Sequence, residues 1–347
     1  MDRIARAKAN EREELFRVVA AQMELHPVNI EKDFWVCWLL KQLFTIAEFE
    51  GWLVFKGGSC SRVARVQGWN EPLEVFQPHP AIFGRRRSGR RFERLGFTDE
   101  KDPRRFDLSR TKRQRLLDEM IEACRAYIGG PFLTTLRSRI DSILGGAGWS
   151  LVVGSADPNC GEFAYPVAID MTLEYIQPQV ALELGTHAEP IPHGLFTIRP
   201  FVAERFPAQF TEASCFVKTV VARRTFWEKA TILHAEYHRP ADKRMPPRYS
   251  RHFADVAMMA RSDVKAEALS DRALLASVVT HKDRFYPASW AKYHEATRGT
   301  FRLVPRRERL GELRTDYRAM RTMFFSTAPS LDDVLRELAK LEGEINT

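Results

Sequence analysis

Residues 52–59 read WLVFKGGS, a short apolar run closed by two glycines and a serine. The run from Trp52 to Phe55 predicts a buried strand, and Lys56-Gly57-Gly58-Ser59 predicts a strand-to-helix turn. Glycines allow a ligand close to the backbone. A serine hydroxyl beside free N–H groups binds anionic oxygens. The turn therefore suits a phosphate group, although a plain turn carries the same signature. Its flanks favour an α/β (α+β) fold rather than an all-helical one.

Upstream, residues 3–25 place Ile4, Leu15, Phe16, Val19 and Met23 at helical spacing, and Pro27 is expected to stop that helix. Asn29 is expected to cap a second helix, EKDFWVCWLLKQLF. Downstream, residues 60–94 carry Pro72, Pro78, Pro80 and the run FGRRRSGRR, with neither a helical nor a strand period. Residues 108–140 read as helical. A strand-rich block comes next at 149–153, 165–175 and 179–184, with further strands at 196–201 and 215–221. From Thr225 onward helices dominate, at 224–239, 248–260, 268–280, 311–324 and 331–345. Ser330 with Asp333 three residues on marks the start of the last one. The expected organisation is an α/β domain over 1–224, with 60–94 atypical, and a helical domain over 225–347.

The chain has 347 residues, 44% of them hydrophobic, enough for sizeable cores and against wholesale disorder. Its formal net charge is +8. Residues 85–115 hold 13 Lys/Arg against 5 Asp/Glu, so that one stretch carries the whole excess. A basic surplus points to nucleic acid or a membrane surface. The five cysteines are scattered and form no C-x-x-C, which favours a reducing cytoplasm over a disulfide framework. The charged N-terminal stretch has no apolar core, so no secretory leader is expected. No apolar run approaches the ~18 residues of a membrane span.

Several polar positions stand out. Glu183 sits in VALELG, where a carboxylate is costly unless paired, metal-bound or turned outward. Lys229 lies on the FWEK helix, either on a solvated face or in a site. Arg248, Arg251, His252 and Asp255 are spaced i, i+3, i+4, i+7, a stripe that suits solvent or a phosphate backbone. His234 and His238 share a helix face, but Glu236 is misplaced for H-E-x-x-H, against a metal pair.

Four blocks in this order resemble the AbiEii/AbiGii family of nucleotidyltransferase-like toxins. They are IEKDFW at 30–35, LVFKGGS at 53–59, VALELG at 180–185, and RTFWEKATILHAEYHRP with RYSRHFADVA at 224–240 and 248–257. DYRAM at 316–320 and the terminal LEGEIN fit as well. The resemblance implies a polymerase-β-like nucleotidyltransferase domain with a mixed sheet, and after it a helical C-terminal domain. It implies Mg²⁺-dependent transfer of a nucleotide from a nucleoside triphosphate, with tRNA as the acceptor for some members. It also implies a cognate antitoxin and a role in phage defence by abortive infection. By position, Lys56, Gly57, Gly58, Ser59 and Arg251 match nucleotide-binding residues. Glu183 matches the third strand carboxylate and metal ligand, and Lys229 and Asp255 match the catalytic motif lysine and acid.

The chain departs from the family at one point. The resemblance implies an Asp-x-Asp after the Gly-Ser turn, yet no Asp occurs between Ser59 and Asp99. Glu71 and Glu74 are the only acids before Glu93, in a context that does not suit a metal strand. Read one nucleotide forward, codons for residues 81–89 can encode Arg-Phe-Ser-Glu-Asp-Val-Asp-Leu, which contains the missing pair. The segment is then either out of frame or an Arg-rich insertion in an inactivated member. The alternative function is a non-catalytic RNA- or partner-binding protein that retains the fold.

Overall fold

The computed structural model describes residues 1–51, 53–56, 73–76, 108–170, 177–185, 189, 191–320 and 328–347. Gly57, Gly58, Ser59 and the Arg-rich run lie outside them. The described residues form two compact units, one ending at Val220 and the other starting at Val221. The expected boundary at 224 falls inside a helix, Ala222–His238, so the division comes earlier.

The first unit begins with helices α1 (Asp2–Ala5), α2 (Ala9–Met23) and α3 (Pro27–Thr45). Pro27 opens α3 rather than ending α2. Proline has no N–H to lose in a first helical turn, so it is favoured there. His26, not Asn29, is the cap, and its Nδ1 accepts from the Val28 N–H at 3.3 Å. Asn29 is buried inside the helix. Strands β1 (Val54–Lys56) and β2 (Leu73–Phe76) come next, then helices α4 (Arg110–Tyr127) and α5 (Leu133–Leu144). Strands β3 (Ser150–Val153), β4 (Cys160–Ala164), β5 (Gln179–Gly185) and β6 (His193–Ile198), helix α6 (Phe201–Arg205) and strand β7 (Cys215–Val220) complete the unit.

Among the described residues the strands make one mixed sheet in the order β3-β4-β5-β2-β1-β7-β6. β2 pairs parallel with β5 and β1 pairs parallel with β7, while the other neighbours are antiparallel. This is an α+β fold, consistent with the nucleotidyltransferase-like domain that the resemblance implies. β2 corrects the expectation that residues 60–94 hold no strand. Four residues are too few to show a period, and it is the neighbours on both sides that make them a strand.

Residues 165–170 also depart from expectation. The alternation there predicts a strand, but the chain is irregular. The N–H groups of Ala168 and Ile169 donate to the buried Glu31 carboxylate at 2.7 and 3.3 Å, instead of to a neighbouring strand. Consecutive Ala168 and Ile169 are both buried, which alternation forbids. Besides β2, the sequence does not reveal β4. Its Phe163 stacks on Trp38 of α3, with ring centroids 5.9 Å apart, and fixes the core face of the sheet.

The IEKDFW block builds this unit. Phe34 and Trp35 are fully buried, each contributing about 2–3 kcal/mol by leaving water. Asp33 accepts from the Phe201 N–H at 2.8 Å at the start of α6. Arg12 of α2 lies over the Trp35 ring and donates to the Pro166 carbonyl at 2.9 Å.

The second unit holds α7 (Ala222–His238), α8 (Ser250–Ala260), α9 (Asp263–Ser270), α10 (Arg272–Phe285), α11 (Leu310–Met320) and α12 (Leu331–Asn346). α7 packs against α8, α9 and α10, and α12 packs against α8. The single helix expected over 268–280 is two, divided at Asp271, whose carboxylate caps α10 by accepting from the Leu274 N–H. Ser330 caps α12 as expected, accepting from the Asp333 N–H at 3.1 Å.

Candidate functional site

The residues singled out in the sequence divide between the two units. In the first, β5 alternates, with Val180, Leu182 and Leu184 buried and Gln179, Ala181 and Glu183 half-exposed. Glu183 therefore lies on the half-exposed side of its strand, opposite the aliphatics that flank it in sequence. Its register partners are Glu74 on β2 and Cys160 on β4, and Glu74 in turn pairs with Lys56 on β1. One row across four strands thus reads Lys56, Glu74, Glu183, Cys160. Burial, with Glu183 the next cause, pushes the Cys160 thiol up to about 12, so it is no nucleophile at neutral pH. Glu74, unpromising by its sequence context, holds the position between the two predicted site residues.

In the second unit Lys229 is not on a solvated face. It is buried on α7 and its ammonium donates to the Asp255 carboxylate on α8. The two residues are 26 positions apart in sequence. The pairing arises because the apolar side of α8, with Phe253, Val256 and Ala257, is buried in the same unit as α7. The stripe expected from Arg248 to Asp255 is shorter than predicted. Arg248 precedes the helix, with a left-handed φ of 65°. Asp316 of α11 accepts from the Arg248 and Ser250 N–H groups at 2.7 and 2.8 Å and so caps α8. The remainder of the stripe faces inward, with His252 and Asp255 buried and Arg251 half-buried.

His252 marks the character of this place. Burial lowers its pKa well below the usual value, and the charges of Lys229, Arg251 and Lys282 lower it further. The imidazole is neutral, and its Nδ1 has no hydrogen-bond partner. Three cations, from three helices, thus act on one neutral ring. Nothing in the sequence groups Lys282 with this stripe. It is 30 positions from His252 on another helix, and no local signal links them.

In the other histidine pair, His234 is held on both ring nitrogens, while the buried His238 Nε2 has no hydrogen-bond partner. The His234 and His238 rings are 4.8 Å apart. His234 Nδ1 accepts from the Arg302 N–H at 3.1 Å, and Nε2 donates to the Lys292 carbonyl at 3.1 Å. Neither His234 nitrogen is open to a metal. Among the described residues no group of three His, Cys, Asp or Glu side chains is placed to hold a metal ion. Among them, too, no helix is long and apolar enough to cross a membrane.

No curated protein and no solved structure matches the chain. Residues 106–337 match the family described as "Nucleotidyl transferase AbiEii toxin, Type IV TA system". The matched span contains β5 with Glu183, α7 with Lys229 and α8 with Asp255, and it starts after the Gly-Gly-Ser turn. Membership carries with it a nucleotide substrate and a cognate antitoxin. With two thirds of its length matched, the chain belongs to the AbiEii nucleotidyl transferase toxins of type IV toxin–antitoxin systems.

Proposed function

We propose that the protein transfers a nucleotide from a nucleoside triphosphate to an RNA acceptor of the tRNA class, and that catalysis is weakened by the lack of an Asp-x-Asp. The observation that carries this reading is the buried Lys229–Asp255 pair beside His252, with Arg251 and Lys282 adding positive charge. A buried lysine held by one carboxylate is a fixed charge already oriented to meet phosphate oxygens. Asp255 positions the ammonium, Lys229 neutralises charge on the triphosphate, and Arg251 adds a planar donor fork. In the transfer, an acceptor hydroxyl attacks the α-phosphorus and pyrophosphate leaves.

Mg²⁺ belongs to the same reading, with Glu183 as a ligand. The described side chains include no three-ligand group for it, so no step is assigned to the ion. The test is incubation of the protein with tRNA and each labelled nucleoside triphosphate, with Mg²⁺ or with EDTA. Slow label transfer, abolished in Lys229→Ala and by EDTA, supports the proposal. RNA binding that weakens with salt, with no transfer by any nucleotide, refutes it in favour of a non-catalytic binder. Placing an Asp-x-Asp in the segment by frame correction should raise both transfer and toxicity. Equal toxicity before and after correction overturns the weakening.

A further inference from the structure

The second unit contains a cavity of about 370 Å³ that the nucleotidyltransferase reading does not use. Its volume falls in the range of natural small-molecule pockets. The lining is mainly apolar, from Trp227 of α7, Leu269 of α9, Leu275 and Val279 of α10, and Ile345 of α12. Trp227 is 2% exposed and its indole N–H donates to the Ala268 carbonyl at 3.1 Å, so this wall is rigid.

Two arginines, Arg272 and Arg298, also line the cavity. Among the described residues neither has an ion-pair or hydrogen-bond partner through its side chain. Both arginines are exposed, and one acid, Glu344, also lines the cavity. Glu344 pairs with Lys265 at 3.0 Å, and Asp271 caps α10 and pairs with Arg223 at 3.4 Å. Arg272 is also the first residue of α10, where the helix dipole disfavours a cation and favours an anion beside it. A mainly apolar cavity lined by two exposed arginines that no described acid pairs, its one carboxylate engaged by Lys265, is complementary to one kind of occupant. We propose that the cavity binds a small amphiphile with an apolar body and a single anionic head, the body against Trp227 and the head between Arg272 and Arg298. The proposal stands independently of the transfer reaction.

The test is isothermal titration calorimetry of the full chain with octanoate, octyl phosphate, octanol and octyltrimethylammonium. Octanoate and octyl phosphate should bind, octanol about tenfold more weakly, and the cation not at all. Whichever anion is tighter identifies the headgroup. The double variant Arg272→Gln/Arg298→Gln should bring octanoate down to the octanol level and leave octanol unchanged. Ala276→Trp, an exposed position on the lining, should abolish binding of all four while unfolding at the same temperature as the parent. The proposal is overturned if octanoate binds no tighter than octanol, if the arginine variants leave it unchanged, if Ala276→Trp still binds, or if nothing binds.

Discussion

Two histidines on adjacent helices of the second unit are both buried and both hold a lowered pKa, yet they differ in one respect. His234 has each ring nitrogen bonded to backbone, and its pKa falls to about 4 mainly through burial. His252 leaves Nδ1 unbonded, and after burial the causes of its lowered pKa are three cations. A satisfied buried group is part of the scaffold. An unsatisfied one costs stability unless a partner reaches it. The contrast sets a histidine closed by backbone contacts against one that is not.

The largest effect should come from the charge pair beside His252. Lys229→Met strands a buried carboxylate and should cost about 3–5 kcal/mol in urea unfolding, with transfer lost. The double variant Lys229→Met/Asp255→Leu should recover most of that stability and none of the activity. Recovery of activity would remove the pair from catalysis.

His234→Ala comes next. It leaves a buried N–H and a buried carbonyl unpaired, at about 2–4 kcal/mol, without changing transfer per folded molecule. The same residue gives a pH signature. Its folded pKa of about 4 lies below the usual 6.5, so the unfolded chain binds more protons between those values. The stability contribution is present above pH 6.5 and is lost as pH falls toward 4. About 2 kcal/mol should go between pH 7.5 and pH 5, read from urea midpoints. A His234→Gln variant with an equally steep profile would contradict this assignment.

Smaller still, Ser330→Ala should cost about 1 kcal/mol by removing the cap of α12. The smallest effect on stability should be at His252. His252→Gln has no Nδ1 bond to lose and should change unfolding by less than about 1 kcal/mol. It should nonetheless raise KM for the nucleoside triphosphate. A large stability loss with unchanged KM would make His252 scaffold like His234.

Much of the fold is readable in the sequence because its signals are local. The helical spacing of α12, its Ser330 cap and the alternation of β5 depend on residues within a few positions of one another. The departures share a cause. Pro27 looks like a stop from the α2 side, but the helix it opens lies on its other side. Residues 165–170 alternate like a strand, but the carboxylate that takes their N–H groups comes from Glu31, 137 positions from Ala168. The IEKDFW block reads as a family signature, and the structure gives it a scaffold role through Glu31, Asp33 and Trp35. At the site, residue types identify Lys229, Asp255 and Glu183 as candidates, but not their surroundings.

The sequence alone determined the kinds of element, the helical second half, the family and the missing Asp-x-Asp, because these rest on short-range pattern and residue identity. Only the tertiary structure decided that Lys229 meets Asp255, that Glu183 takes the half-exposed side of its strand in register with Glu74, and that His234 is closed while His252 is not. Those outcomes depend on which distant groups share a buried space. There, pairing outweighs propensity, since an unpaired charge out of water costs several kcal/mol.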